Sequence, residues 1–353
     1  MIDNSQIAPT SRSRGVPGGA RATLRRTLAI VLGLAFALVC VSVAASLIGS
    51  ERLPIGASLC AMVSAGNESC GLTAQQSSIL FSIRIPRILL GATVGASLAA
   101  AGAGYQALLR NPLAEPYLLG ISNGAAVGTM IALVFFGAHE WSRPVMAFAG
   151  ALMSTFVVYR LARGRAGAST EKLILAGVIV TTFLSSAIVF ITTLMDATRI
   201  RSFTFWLLGD LSGTTGALLV IAFVGVVIGT VVLAANARSL NLMMLGERDA
   251  FDLGVEVGRV RVLVFLAASL MVGASVAASG SVGYVGLVVP HLVRLSFGSD
   301  NRTVILATAL AGALFVVVAD TAARTIISPR ELPVGAITAL IGAPLFIYLL
   351  RRG

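Results

Sequence analysis

Long apolar runs without charged residues recur along almost the whole chain, and short polar segments separate them. The first run, Thr27–Ser50, exceeds the roughly 20 apolar residues that a helix needs to cross a hydrocarbon core of about 30 Å. Runs of this kind predict ten transmembrane helices. Their predicted bounds are Thr27–Ser50, Ile88–Leu109, Pro116–Phe136, Pro144–Val158, Leu173–Met195, Leu211–Ala235, Val262–Ala278, Val282–Phe297, Val304–Val318 and Leu332–Leu350.

The boundary between the seventh and eighth predicted helices lies inside one uncharged stretch. No charged residue occurs between Val262 and Pro290, and this stretch is too long for one straight helix across the bilayer. Glycine releases the backbone from helical geometry, and a glycine stands at each end of the segment Gly280–Gly283. We therefore divide the stretch there.

The segment before the first apolar run, residues 1–26, is rich in arginine, serine, glycine and proline. This composition predicts a disordered basic tail. The apolar run that follows is longer than the roughly 7–15 apolar residues of a signal peptide, which favours a retained first span. The predicted organisation is a cytoplasmic tail, residues 1–26, and one transmembrane domain, residues 27–353.

The composition indicates a membrane protein and excludes an ordinary soluble one. Hydrophobic residues make up 57% of the chain and charged residues 12%, against about 25% charged in soluble domains. The 37 glycines suit close packing between membrane helices. The net charge of +11 does not indicate nucleic-acid binding, because the arginines form no basic stripe with interleaved aromatic residues. The predicted fold class is an all-α polytopic membrane protein.

The basic residues are distributed unevenly between the two sides of the predicted bundle. Of the 26 lysines and arginines, eighteen fall in segments that a cytoplasmic N-terminus places inside. The eight that fall outside are Arg52, Arg84, Arg87, Arg143, Arg199, Arg201, Arg324 and Arg330. Because basic residues in short loops favour the cytoplasmic side, we predict that both termini are cytoplasmic.

Residue patterns typical of enzymes are missing from the sequence. The only lysine, Lys172, follows Glu171, so the chain has no Gly-Lys-Ser/Thr phosphate-binding loop. Its two histidines and three cysteines show no metal-ligand spacing. We therefore predict a chain that is not an enzyme. Cys60 and Cys70 lie in the first external loop, where they form either a disulfide or two free thiols.

Acidic residues are scarce in the predicted spans, and this weighs against two other classes of protein. A secondary carrier is expected to hold ion-coupling carboxylates at mid-membrane, and an intramembrane enzyme needs clusters of His, Asp or Cys. Asp210 and Asp320 instead lie at outer ends of predicted spans, and Asp320 precedes Arg324 by four residues, which makes the two helical partners. Asp210 either shapes the outer mouth of a pathway or caps a helix.

The longest charged cytoplasmic stretch, Arg238–Arg261, has an amphipathic pattern. It predicts two short helices that are broken at Gly246 and Gly254. The stretch is too polar to span a membrane and too apolar to be a solvated linker. This pattern indicates a surface that docks onto a soluble partner, with a plain loop as the alternative.

Several long motifs, in order along the chain, resemble those of the FecCD-type permeases. They are Arg84-Ile-Pro-Arg87, the segment Leu109–Ala125 with its Asn-Pro-Leu-Ala-Glu-Pro turn, Phe205–Gly213, Gly283–Arg294 and Glu331–Pro344. FecCD-type permeases are the membrane subunits of type II ABC importers for iron chelates, haem and cobalamin. The resemblance covers about residues 27–352.

The resemblance implies a type II ABC importer permease fold and a set of partners. These are a second permease subunit, identical or paralogous, two ATPase subunits, and a periplasmic or lipid-anchored substrate-binding protein. The permease itself binds no cofactor, since ATP and Mg are bound by the ATPase subunits. The implied location is the cytoplasmic (inner) membrane. An iron chelate of the siderophore type is the expected cargo, and cobalamin or haem is the alternative.

The resemblance also implies three groups of functional residues. The outward-facing arginines that dock the binding protein are Arg84 and Arg324. The cytoplasmic gate comprises Asn111, Leu113, Ser169 and Thr170. The residues that couple to the ATPase are Leu245, Gly246, Ala250, Leu253 and Gly254. Without the resemblance, the arginines are membrane-interface anchors and the gate residues ordinary turn residues.

Overall fold

The computed structural model describes residues 19–49, 51–64, 70–136, 141–164, 167–213, 215–328 and 330–352. Within these ranges the helices are α1 Gly19–Leu47, α2 Ile55–Val63, α3 Ala74–Ser78, α4 Ile85–Leu108, α5 Ile121–Ile131, α6 Ser142–Ala162, α7 Thr170–Thr192, α8 Ala197–Leu207, α9 Gly216–Ala235, α10 Ala237–Leu245, α11 Glu247–Asp252, α12 Val257–Ser279, α13 Val285–Phe297, α14 Asn301–Thr325 and α15 Val334–Arg352. Two-residue strands, β1 Arg163–Gly164 and β2 Gly167–Ala168, pair antiparallel.

The helices confirm an all-helical, multi-pass membrane protein. Among the described residues, seven helical segments are long and apolar enough to cross a membrane, and Ile121–Phe136, Val285–Phe297 and Val334–Leu349 are shorter apolar helices. Each of these ten segments overlaps one of the ten predicted spans. We name the two ends of the bundle by the predicted topology: the outer end holds the predicted external loops, and the inner end holds the predicted cytoplasmic ones.

Several predicted bounds differ from the structure; helix α14, for example, continues to Thr325, past the predicted end at Val318. Helix α1 begins at Gly19, within the predicted tail, whose residues 1–18 lie outside the described part of the chain. The third predicted span is not one helix. Pro116–Leu119 forms a 3-10 turn that ends at Gly120, whose φ of 76° is left-handed, and α5 starts after it. An α-helix cannot continue through a left-handed residue.

The predicted break between the seventh and eighth spans is confirmed. Helix α12 ends at Ser279, and Gly280 has a φ of +69°. The Tyr117 hydroxyl accepts a hydrogen bond from the Val282 N–H and donates one to the Val282 carbonyl oxygen, each at 2.9 Å. The Glu115 carboxylate accepts from the Tyr284 N–H at 3.1 Å, directly before α13. The α4–α5 connection therefore holds the break between α12 and α13 in place.

Helix α4 lies at the centre of the bundle, where it packs against α14, α12, α13 and α9. Glycines let the backbones approach closely: a Cβ added at Gly95 would lie 2.1 Å from the Gly312 carbonyl oxygen. A Cβ at Gly102 would lie 2.0 Å from the Gly286 carbonyl oxygen. These contacts have the character of small-residue packing in membranes.

The loops at the outer end contain helices that the apolar pattern did not predict. Helix α8 starts after Asp196, whose carboxylate accepts a hydrogen bond from the Arg199 N–H at 2.9 Å and so caps the helix. In the first outer loop, Cys60 on α2 forms a disulfide with Cys70. The structure therefore decides between the disulfide and the two free thiols.

Candidate functional site

A buried cluster of ionic side chains joins α4 to α14 at the outer end. The Arg87 guanidinium donates to the Asp320 carboxylate from Nε at 3.0 Å and from Nη2 at 2.9 Å. It also contacts the half-exposed Glu331 carboxylate at 2.6 Å. Arg324 Nε lies 3.1 Å from Asp320 Oδ2, so the pairing predicted from the four-residue spacing is confirmed. Asp320, only 2% exposed, thus bridges two buried arginines.

Arg84 and Arg324, which are predicted to dock the binding protein, are both buried in the described chain. Arg84 is 4% exposed and Arg324 is 5% exposed. Arg84 donates to the backbone carbonyl oxygens of Ser46, at 2.8 Å, and of Glu51. Arg324 donates to the carbonyl oxygen of Ala45. Both side chains face inward because their donors satisfy buried acceptors, which cost free energy if unpaired.

Two of the exposed cations at this end, Arg52 and Arg330, stand next to residues that buried arginines contact. Arg52 is exposed and follows Glu51, whose carbonyl oxygen accepts from Arg84. Arg330 is exposed and precedes Glu331, which pairs with Arg87. The buried arginines therefore fix the two loop segments that carry exposed ones. Sequence reasoning missed this division, because burial of an arginine depends on partners more than 30 positions away.

Asp210 stabilises a turn at the same end. Its carboxylate accepts hydrogen bonds from the Ser212 N–H at 2.8 Å and the Ser212 hydroxyl at 2.6 Å, while its own N–H donates to the Ser279 carbonyl oxygen at 2.8 Å. This is the geometry of an Asx turn rather than of a helix cap.

At the inner end, the predicted gate residues occupy two separate turns. Asn111 follows α4, and its side-chain oxygen accepts from the Leu113 N–H at 2.9 Å, which leaves Leu113 partly exposed. Ser169 caps α7 by accepting from the Lys172 N–H at 3.4 Å, and Thr170 begins that helix. The local geometry of both turns is the ordinary turn chemistry of these residue types.

A cavity of about 480 Å³ lies between the turn that holds Ser169 and Thr170 and the predicted coupling segment, residues 245–254. Ser169 and Thr170 line it from α7, and Gly246 and Glu247 line it from the junction of α10 and α11. Arg110, at the end of α4, completes its wall. The structure therefore places two predicted gate residues and one predicted coupling residue around one space, while Asn111 and Leu113 do not line it.

Glu247 connects the coupling segment to two helices of the bundle. Its Oε1 lies 2.5 Å from Nη2 of Arg261, a buried residue on α12, and 3.9 Å from Nη2 of Arg110. The pair with Arg261 is the closer of the two and includes a buried arginine, so its attraction is the stronger. Glu247 is one of two glutamates in Arg238–Arg261, and the sequence did not reveal which arginines it would contact.

An exposed apolar surface covers the predicted coupling segment. We call it the coupling surface; it consists of Leu245, 73% exposed, Phe251, 71%, and Leu253, 64%. Phe251 was not among the predicted coupling residues. Ala250, a predicted coupling residue, is fully buried, because its helix turns this small side chain inward. Gly254 follows with a φ of +84°, which ends the turn.

Glu115 is the buried carboxylate of the α4–α5 connection. Burial raises the pKa of the Glu115 carboxyl above its ordinary value, and the hydrogen bond from the Tyr284 N–H opposes this rise. The residue was visible in the Asn-Pro-Leu-Ala-Glu-Pro motif, but nothing in the sequence linked it to Tyr284. Among the described residues, no group of three or more His, Cys, Asp or Glu side chains could hold a metal ion.

Comparison with known proteins finds relatives that are similar to this chain over most of its length. The cobalamin import system permease protein BtuC of Halobacterium salinarum is 45% identical over 273 residues, which are 77% of this chain and 73% of that protein. The hemin transport system permease protein HmuU of Yersinia pestis is 39% identical over 280 residues, 78% of this chain and 84% of that protein.

A solved structure of an ABC transporter described as metal-chelate type, in an inward-facing conformation, has the same fold. It superposes with a TM-score of 0.81 at 31% identity and covers 92% of this chain and 99% of its own. The family model of the FecCD transport family matches residues 34–352. With nearly the whole transmembrane region matched, and relatives well above 30% identity, the chain belongs to the FecCD transport family.

Proposed function

We propose that this chain is one permease subunit of an ATP-driven importer that moves a bulky metal chelate through the cytoplasmic membrane, with both termini in the cytoplasm. A second permease subunit, two ATPase subunits and a substrate-binding protein complete the assembly. The permease hydrolyses no ATP itself. The observation that carries the proposal is the exposed coupling surface at the inner end, which is tied by ion pairs to helices of the bundle.

Movement of the ATPase subunits reaches the pathway through this surface. Three large apolar side chains in a short helical segment form a compact contact for a partner protein. Behind them, Glu247 joins the segment to Arg261 on α12 and to Arg110 at the end of α4. A push on α10 and α11 is therefore passed to both helices and to the cavity that Ser169 and Thr170 line.

Leu245→Asp and Phe251→Asp are each expected to abolish more than nine-tenths of ATP-driven uptake while leaving the subunit folded. An exposed charge costs little in the free chain, yet it would be buried in the contact with the ATPase subunit. Co-purification of that subunit and chelate uptake by reconstituted vesicles are the measurements. The control is Glu256→Gln, which removes an exposed charge from the same loop and its 3.7 Å contact with Arg259. Normal uptake in both aspartate variants would rule out the coupling surface.

At the outer end, the proposed partner is the substrate-binding protein with an acidic docking surface. Arg52 and Arg330 are the exposed cations that contact it, and Arg84 and Arg324 are positioning residues beneath them. This revises the roles implied by the resemblance. The support for it is that Arg84 binds the carbonyl oxygen of Glu51, and the cluster around Arg324 includes Glu331, so each exposed arginine has a fixed neighbour.

Arg52→Glu and Arg330→Glu are each expected to weaken binding of the substrate-binding protein by about tenfold at low salt and by less at 0.5 M salt. Reversed rim charges repel an acidic partner, and screening reduces the effect because the Debye length is about 10 Å at 0.1 M. Binding to reconstituted complex across a salt series is the measurement. Arg201→Glu, an exposed arginine on α8, is the control. Equal affinities for all three variants would exclude these docking residues.

For the cargo, we infer a metal-containing macrocycle of the cobalamin or haem type, with an iron siderophore as the second candidate. The support is that two of the similar permeases carry the names of cobalamin and hemin transport. Uptake of labelled cobalamin, haem and a ferric siderophore, in cells that lack this chain and in cells that express it, distinguishes the three.

A further inference from the structure

A narrow apolar groove lies on the membrane-spanning face of the bundle between α6, α9 and α12. Its volume is about 520 Å³. Its walls are apolar side chains such as Phe148 on α6, Ile228 on α9 and Leu270 on α12, and the indole of Trp141 lies at its outer end. Both α6 and α9 pack against α12, and the groove follows the seam between them.

Small residues on α9 and α12 create the groove. A Cβ added at Gly225 would meet, within 4 Å, only the Cβ of Ala274 on α12, at 3.9 Å. Ala267 lines the same wall. A larger side chain at position 225 would therefore enter open space in the groove without touching the backbone of a neighbouring helix. The gap is a consequence of residue size on these two helices, and one substitution can fill it.

The length of the groove suits a hydrocarbon chain. It extends along α9 from Leu218 to Val232 and along α12 from Leu263 to Ala277, about 21 Å in each case at 1.5 Å per residue. A single hydrocarbon chain fits, and the groove is longer than one leaflet of about 15 Å.

Charge and residue type at the outer end indicate the polar part of the ligand. Trp141 lies at the start of α6, and tryptophan favours the membrane–water interface. Arg143, two residues further on, is exposed at the same helix end. An arginine at this depth attracts the phosphate of a lipid whose acyl chain lies below it.

We propose that the groove binds one acyl chain of an outer-leaflet phospholipid, with the phosphate beside Arg143. The hydrophobic effect does not drive this binding, because lipid tails are as apolar as the groove. The gain is in van der Waals contact, since an empty groove leaves its lining atoms without neighbours on one side. The proposal concerns the groove between α6, α9 and α12 and does not depend on the proposed transport function.

Retained lipid is the measurement that tests the proposal. The full chain, expressed in membranes of phosphatidylethanolamine and phosphatidylglycerol, is washed in mild detergent, and bound phospholipid is determined by phosphate assay and native mass spectrometry. We expect about one phospholipid per chain. Gly225→Phe fills the groove and is expected to reduce the retained phospholipid at least fivefold. Gly33→Phe, on a part of α1 with open space around the added Cβ, is the control and keeps the lipid.

A second measurement leaves the groove unaltered. With Trp206→Phe, Trp141 is the one remaining tryptophan of the two in the chain. Protein prepared in phospholipid with brominated acyl chains and then washed is expected to retain quenched Trp141 fluorescence. Absence of retained lipid in the unsubstituted chain, or equal retention in the Gly225 and Gly33 variants, would overturn the proposal. Conversion of a dimer to a monomer by Gly225→Phe would also overturn it, because a second chain would then cover the groove.

Discussion

Asp320→Asn is expected to destabilise the folded chain by about 3–5 kcal/mol, the cost of removing one partner from a buried ion pair. The Asp320 carboxylate separates the guanidinium groups of Arg87 and Arg324, and all three side chains are buried. Asparagine keeps the shape of the side chain and removes its negative charge. The buried guanidinium groups of Arg87 and Arg324 then face each other with no carboxylate between them. The midpoint of heat-induced loss of monodisperse protein in detergent should fall accordingly.

Two variants at the same end serve as references for Asp320. Asp210→Asn removes the charge of an exposed carboxylate but leaves an oxygen for its turn, and we expect little change. Glu331→Gln weakens the half-exposed contact with Arg87, with a loss of about 1 kcal/mol or less. If the thermal midpoint of Asp320→Asn equals that of the unsubstituted chain, the buried cluster does not stabilise the fold.

Gly95→Ala is expected to destabilise the bundle by about 1–3 kcal/mol, although alanine is the better helix former by about 1 kcal/mol. The added Cβ would lie 2.1 Å from the Gly312 carbonyl oxygen and 2.9 Å from a methyl group of Val316. A backbone oxygen cannot rotate away, so α4 and α14 would have to separate.

The matched substitution is Gly33→Ala, which adds the same methyl group where no atom lies within 4 Å. It is expected to leave stability unchanged or to raise it slightly, because only the helix preference changes. Thermal midpoints of the two variants in the same detergent measure the difference. Equal midpoints would show that α4 and α14 tolerate a wider spacing.

Local patterns were sufficient for the number and approximate positions of the spans. The hydrocarbon thickness sets a minimum length for each apolar run, and the requirement for internal hydrogen bonds makes each run a helix. The break at Gly280–Gly283 was visible because glycine permits the positive φ found there. The interruption at Gly120 was missed, since Pro116–Phe136 is apolar enough for one helix and the turn depends on contacts with the α12–α13 connection.

The candidate site shows the same division between local and distant contacts. The sequence correctly predicted two short helices within Arg238–Arg261, with breaks at Gly246 and Gly254. It did not distinguish buried Ala250 from exposed Phe251, because that depends on how the helix rests on the bundle. Likewise, nothing in the sequence indicated that Glu247 contacts Arg110 and Arg261, which are distant from it in sequence.

The sequence by itself therefore determined the class of protein, the count of spans, and the abundance of glycine that suits close packing between helices. These follow from hydropathy, length and side-chain size, which are properties of short segments. Only the tertiary structure decided which arginines are buried. Arg84 and Arg324 carry the same charge as Arg52 and Arg330, and no local pattern separates the two pairs. The difference arises from acceptors such as the carbonyl oxygens of Ser46 for Arg84 and Ala45 for Arg324, because a buried guanidinium is stable only where its partners are supplied, here by distant segments.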